Sequence, residues 1–400
     1  MVKAGTAISV IDDIGVLKEA LVQGPFCNPL GETTGLAEDE SQEAAQQHGR
    51  LVRELETAGV TVRHLDAQLY SALGFADARD WILERRISEL KGDQSGSCDI
   101  ISWLSEQPAQ ALTGYLMDGM YDADLPAGLA RPHEGATQDD GWFIAPLANV
   151  ANLGGWFCVI GGGVLLSQPE LQQSRAAAIT AGAVLNFAPM FDQSRFEFWL
   201  TADGAERSCP PLDVNDIAMP GERVCVAAIT KGTSVRALSL LAESLFRENK
   251  AGTMLWLDLT GTDCACLDDC FLPLSRECLL VDMKLLKTVN SFVVRANHRG
   301  AVLAIEACRT SFVDELARSM GTADLVLIDM KRQPEPVADA LTRLAPIVLS
   351  PGRIIAFEEH AAAFRLLEQH GVEIVSTFPG AAVSGQGKGP RGLMTALHAT

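Results

Sequence analysis

One short pattern recurs along this chain and narrows its fold more than any other feature. Leu55-Glu56-x-x-Gly59-Val60-x-Val62 near the start reappears as Leu367-Glu368-x-x-Gly371-Val372-x-Ile374 near the end. In both, an amphipathic helical pattern runs into a glycine and then at once into alternating apolar residues. Glycine ends a helix because it takes left-handed backbone at no steric cost, and alternation marks a half-buried strand. Looser copies lie between. One is the helical stretch Val235–Glu248 with Gly252 and Met254–Leu257, and another is Phe312–Met320 with Gly321 and Leu325–Ile328. A weaker copy places a helix within Leu171–Ala183 and a strand at Phe196–Leu200. The first copy itself has a helix over Ser41–Ala58 and a strand over Val60–Leu65, preceded by strands at Ile8–Ile11 and Leu17–Val22. Repetition at this scale predicts one supersecondary unit used several times. Units set in a ring bring their strand ends to one axis, a natural place for a pocket.

A different segment interrupts the repeat. Ala78–Leu90 and Gln110–Met120 read as amphipathic helices with no strand between them. They predict a small helical insertion over residues 75–130, with the α/β repeat domain formed by residues 1–74 and 131–400. The chain has 400 residues, enough for such a domain. Its net charge of −19 argues against a nucleic-acid backbone or an anionic membrane as partner. Residues Trp142–Ser167 carry no charge but include Pro146, Asn149, Asn152 and Gly161-Gly162-Gly163, which fits a buried hairpin better than a membrane span. Ten scattered cysteines and no apolar leader after Met1 fit reduced thiols in a cytoplasm.

The last stretch, Ser384-Gly-Gln-Gly-Lys388-Gly-Pro-Arg391-Gly-Leu-Met-Thr395, follows the final helix–strand unit. It resembles the C-terminal active-site loop of the arginine deiminases, Gly-Arg-Gly-Gly-Pro-Arg-Cys-Met-Thr. The likeness runs from about Val10 to Leu397 and is carried also by Ala78–Leu90, Ala109–Met120, Ala228–Phe246 with Thr230-Lys-Gly-Thr-Ser234, and Cys266–Phe271. It implies the five-bladed pseudo-symmetric α/β propeller of the guanidino-group-modifying (pentein) superfamily, with the helices as an insertion.

The resemblance also implies what has changed. The family's nucleophilic cysteine falls at Gly392 or Leu393, depending on one gap. Its His-Leu-Asp-Thr-Val-Phe reads Cys266-Leu267-Asp268-Asp269-Cys270-Phe271, so the aspartate stays and the acid/base histidine becomes Cys266. Its Glu-Gly-Gly-Asp-Val best matches Pro210–Val214, keeping Asp213 but losing the glutamate. Pro-Leu-Pro-Asn matches Pro146–Asn149, keeping Asn149, and the following guanidinium-gripping aspartate falls on Gly155. The carboxylate-clamping arginine falls at Gly232.

Guanidinium hydrolysis by this route needs a thiolate and an acid/base group. Neither Gly392 nor Leu393 attacks, and a cysteine with a free pKa of about 8.5 is a poor acid/base near neutrality. The surviving polar set is Asp268 and Cys266 at the catalytic positions, with Asn149, Asp213, Lys388 and Arg391 for substrate. Two acids and two bases suit an amino-acid-like or guanidino ligand. Cys266 reads either as a relocated nucleophile or as a small buried thiol. Cys264, Cys266 and Cys270 do not have a standard zinc spacing, so neither metal nor cofactor is expected. His64, His133, His298, His360 and His370 read as solvated. Three readings stay open: a divergent member with altered small-molecule chemistry, a non-catalytic pseudoenzyme binding a partner or active paralogue, and an amidinohydrolase or amidinotransferase using a displaced cysteine. Homo-oligomerisation is left open.

Overall fold

A computed structural model describes residues 8–25, 38–91, 97–126, 129, 141–147, 150–169, 172–192, 194, 196–201, 209–297, 303–322, 324–384 and 389–400. The repeat is visible in its strand pairing. Strand Leu17–Val22 pairs antiparallel with Met394–Ala399 and parallel with Thr61–His64. Val224–Ile229 likewise pairs antiparallel with Ile217–Gly221 and parallel with Thr253–Asp258. Cys278–Val281 does so with Phe271–Pro273 and Val326–Asp329. Arg353–Phe357 does so with Ile347–Ser350 and Glu373–Phe378. In the remaining unit the hairpin Phe157–Ile160/Gly163–Leu166 meets Phe198 through one parallel bridge. The ladders form separate sheets rather than one closed barrel.

The parallel strand is reached through a helix, as parallel pairing requires. The helices are Glu38–Thr57, Gln172–Phe187, Val235–Arg247, Phe312–Met320 and Ala361–Gln369. Local signals set their ends. Ser234 Oγ accepts from the Ala237 N–H at 3.2 Å, and Ser311 Oγ from the Asp314 N–H at 3.2 Å, each satisfying an orphan donor. Gly59 and Gly371, the repeated glycines, take φ of +84° and +82°. In the Val235 copy the left-handed position belongs to Asn249, at φ +56°, and not to Gly252.

Three strand or surface expectations are corrected. Ile8–Ile11 is no strand: only Ser9 bridges the last strand, because Ile11 is 50% exposed and the chain turns at Asp12-Asp13. Phe196–Leu200 is no strand either. Its pairing is confined to one parallel bridge, in which the Val164 N–H donates to the Glu197 carbonyl at 2.8 Å and the Trp199 N–H donates to the Val164 carbonyl at 3.0 Å, while the Trp199 indole lies over Gly163 and donates to the Ile160 carbonyl at 2.9 Å. His360 is buried, not solvated. It packs on Phe357 with ring centroids 5.6 Å apart, and burial lowers its pKa. His64 and His370 are exposed, while His133 and His298 lie outside the described residues.

The uncharged run from Trp142 contains the expected buried hairpin, and among the described residues no helix is long and apolar enough to cross a membrane. Within residues 75–130, helices Ala76–Lys91 and Ala109–Asp118 form near their expected bounds, with Ser97–Ser105 between them. Their core is continuous with the repeat: Ile82, Ile87 and Leu112 share one apolar cluster with Phe157, Val164 and Leu397.

Candidate functional site

A cavity of about 100 Å³ is lined by residues on or beside several of these ladders. They include Leu17 and Met394 of the paired strands near the two ends of the chain, Cys158 of the hairpin strand Phe157–Ile160, and Asn215 just before Ile217–Gly221. Asp268, Leu272 and Ile347 complete this part of the lining. Its walls are mostly apolar, and its charge is concentrated in Asp12, Asp13, Asp268 and Arg391.

Arg391 organises these charges. Its guanidinium stands 3.4 Å from Asp13 Oδ1 and 3.6 Å from Asp268 Oδ1. Burial works against the Arg391 charge, but Asp268 and then Asp13 outweigh it and hold its pKa above the ordinary value. Burial likewise dominates at Asp13 and raises its carboxyl pKa, while Arg391 and the Met219 N–H pull the other way. Arg391 is fixed from behind, since its own N–H donates to the Ala345 carbonyl at 2.9 Å.

Asp268 sits in the short helical turn Leu267–Asp269. The carboxylate of Asp269 accepts from the N–H groups of Ala265 and Cys266 at 2.8 and 3.2 Å, which shapes the turn. Behind it lies Asp216, fully buried, whose Oδ1 accepts from the Leu267 N–H at 3.0 Å. Asp216 Oδ2 accepts from Thr230 Oγ1 at 2.6 Å and Thr233 Oγ1 at 2.5 Å. One buried carboxylate therefore ties the Thr230–Ser234 stretch to the turn bearing Asp268.

Burial pushes the Asp216 pKa up to about 7, although both threonine hydroxyls oppose the rise. A carboxyl raised in the folded state takes up a proton on folding, so its contribution to stability declines as pH rises from about 4 to about 7. Asp216→Asn keeps the shape but removes this titration. Urea midpoints measured at pH 5 and pH 8 should show the wild type losing stability relative to the variant, by a few kcal/mol in order of magnitude. Equal pH dependence in both proteins would show that Asp216 stays ionised throughout.

The residues singled out from sequence are distributed as follows. Asp268 and Arg391 meet in the cavity. Cys266 is 3% exposed and lies just behind it. Asp213 is not in the lining. Its carboxylate accepts from the Asn215 N–H and side-chain amide at 2.9 and 2.8 Å, so it holds Asn215 at the wall. Asn149 and Lys388 lie outside the described residues. Among the described residues no group of three His, Cys, Asp or Glu side chains has the geometry to hold a metal ion.

Sequence reasoning passed over Asp12, Asp13, Asn215, Asp216 and Cys158. The available signal was the acidic pair Asp12-Asp13 set in the apolar run Ile8–Val16. Cys158 brings a thiol into the lining, but burial first and Asp13 second raise its pKa well above the ordinary value.

The two positions where the resemblance sets the family's cysteine differ in their packing. Leu393 is 2% exposed and belongs to an apolar cluster. Gly392 faces the cavity, but a Cβ there would stand 2.5 Å from Asn152 Oδ1. The loop is equally close to its other neighbour: a Cβ on Gly154 would meet the carbonyl oxygens of Met394, Arg391 and Gly392 at 2.9, 3.0 and 3.1 Å.

Comparison with known proteins gives the same architecture. The amidinotransferase SxtG from Microseira wollei, in the saxitoxin biosynthetic pathway, is 12% identical with a TM-score of 0.54, covering 98% of this chain and 97% of that one. Inosamine-phosphate amidinotransferase from Streptomyces griseus is 12% identical with a TM-score of 0.51, covering 99% and 97%. At such identity the likeness is one of fold alone. The family model described as arginine deiminase matches residues 40–397, most of the chain. On that match, the chain belongs to the arginine deiminase family.

Proposed function

We propose that this protein binds a small amino-acid-like or guanidino ligand in the cavity beside Asp13, Asp268 and Arg391, and does not carry out ordinary arginine deimination. The lining residues, drawn from several ladders, fit the pseudo-symmetric five-bladed arrangement the family resemblance implies. One observation carries the chemical part. Of the two positions where the resemblance sets the family's thiol, Leu393 is a buried apolar side chain, and a Cβ at Gly392 would stand 2.5 Å from Asn152 Oδ1. Without a nucleophile, a site of this kind retains only background catalysis from binding and electrostatics.

The charges support the ligand class. Asp12, Asp13 and Asp268 against one Arg391 leave the cavity acidic, which favours a ligand carrying an ammonium or guanidinium group. Among the described lining residues Arg391 is the cation, and a ligand carboxylate would share it with Asp13 and Asp268. A panel of amino acids and guanidino compounds should include at least one that raises the melting temperature. Stabilisation should reach about 2.7 kcal/mol at a hundredfold excess over Kd. A panel with no shift at millimolar concentration would sink the proposal.

A displaced-thiol reading has one observation in its favour, the presence of Cys158 in the lining. Its raised pKa opposes it, because the thiolate is the nucleophile. Cys158→Ser and Cys266→Ser are expected to leave any residual turnover of guanidino compounds unchanged. A loss of turnover in either variant would favour the displaced-thiol chemistry.

A further inference from the structure

The five-stranded sheet has one buried edge and one open edge. Its order is Leu303–Ala307, Ser291–Ala296, Thr253–Asp258, Val224–Ile229 and Ile217–Gly221. Every residue of Ile217–Gly221 is buried, so that edge offers no room for another strand. At the opposite edge Leu303 is half-buried, and Ala304, Ile305, Glu306 and Ala307 are exposed. Among the described residues no strand pairs with this outer edge.

Exposed edges are commonly blunted by proline, lysine or a bulge. Leu303-Ala-Ile-Glu-Ala307 contains neither residue, and its ladder with Ser291–Ala296 runs without a register shift. Ile305 at its centre is 46% exposed. The ladder also fixes where the backbone groups point. The Cys308 N–H donates to the Ser291 carbonyl at 2.9 Å, and bonded pairs alternate along an antiparallel ladder. Glu306 and Ala304 therefore bond inward, while Leu303, Ile305 and Ala307 turn their N–H and carbonyl groups outward.

The two faces of the strand differ. Ile305 lies opposite Val294, which belongs to the apolar cluster of helix Val235–Arg247, and Leu303 packs on that cluster. On the other face Ala304 lies opposite Arg295, and Glu306 opposite Val293. Arg295 is part-exposed, with one guanidinium nitrogen 2.6 Å from Glu315. Glu306 is exposed, with the Arg309 guanidinium 3.8 Å away.

We propose that two copies of this chain associate by antiparallel pairing of Leu303–Ala307 about a two-fold axis at Ile305. In this register Ile305 meets Ile305 of the second copy and Leu303 meets Ala307, so the outward N–H and carbonyl groups all find partners. Ala304 meets Glu306. Alanine is small, so the Glu306 carboxylate reaches over it to Arg295 of the second copy, and symmetry makes the contact twice. Moving the axis one residue toward the C-terminus would set Glu306 on Glu306, like charge on like. This charge match selects a second copy as the occupant of the edge. Because the Ile217–Gly221 edge is buried, pairing closes at two copies and does not continue into a filament. The assembly does not depend on what the cavity binds.

The test is sedimentation velocity on the intact chain, from low to high micromolar protein. A reversible monomer–dimer equilibrium is expected, and amide exchange across Leu303–Ala307 should slow as the protein is concentrated. Ile305→Lys sets lysine on lysine and removes an apolar contact, so the dissociation constant should rise at least about tenfold. Glu306→Arg faces Arg295 of the second copy and should raise it about threefold. Both positions are exposed, so urea midpoints of the dilute variants should match the wild type. A chain that stays monomeric throughout this range would overturn the proposal. So would a dimer that Ile305→Lys leaves as tight as before, or one that Glu306→Arg does not weaken.

Discussion

Replacing Gly389 by alanine is expected to unseat the C-terminal loop and to cost about 3 kcal/mol of stability. The backbone there is ordinary, with φ of −72°, so the effect is not conformational. It is steric. A Cβ at this position would stand 2.1 Å from the Leu344 carbonyl oxygen and 2.6 Å from that of Ala345. Both are backbone atoms, next to a fully buried Leu344 side chain, and neither can rotate away. The loop must therefore lift, and lifting it breaks the 2.9 Å bond from the Arg391 N–H to Ala345. Arg391 then leaves Asp13 and Asp268. Gly261→Ala is the matched control, because a Cβ there meets nothing within 4 Å, and its effect should stay within about 0.5 kcal/mol. Denaturant midpoints at pH 7 measure both. A neutral Gly389→Ala would mean that the loop is not seated on Leu344–Ala345.

Arg391→Met removes the cation from between two carboxylates. Asp13 and Asp268 are 15% and 17% exposed at the side chain, so water screens them poorly. Leaving them without a cation should cost about 3 kcal/mol at pH 7. The deficit carries a pH signature. The Asp13 carboxyl is raised by burial and held down by Arg391, so losing Arg391 raises it further, and an acid raised on folding loses stability as pH rises from its unfolded toward its folded pKa. The gap between variant and wild type should thus be widest near neutrality and narrow as pH falls toward 4. Arg391→Lys should recover part of the loss, since an ammonium is a point charge and cannot span both carboxylates as a planar guanidinium does. A gap that does not change with pH would assign the loss to packing and not to charge.

The elements legible in the sequence were those whose signal is local. The repeated Gly59 and Gly371 could be read because each does the same thing, taking left-handed backbone at a helix end. The caps Ser234 and Ser311 and the apolar helix faces are equally local. The strand expected at Phe196–Leu200 is reduced to one bridge at Phe198, beside which Trp199 lies over Gly163. Asp268 and Arg391 were found through motif likeness, but their partner Asp13 was not. It sits 378 positions from Arg391 along the chain, and no sequence period links them. Asp213 looked like a wall residue and instead holds Asn215, because its carboxylate is satisfied by its own turn. Asp216 carried no sequence signal, since its role depends on hydroxyls and an N–H brought from two other segments.

The most direct measurement follows labelled arginine in the presence of purified protein free of any other deiminase. Citrulline and ammonia should not rise above the protein-free blank, even where a ligand of the same class stabilises the fold. Citrulline accumulating at an enzyme-like rate would contradict the reading of Gly392 as an emptied nucleophile position, and would require a thiol elsewhere in the cavity to do its work.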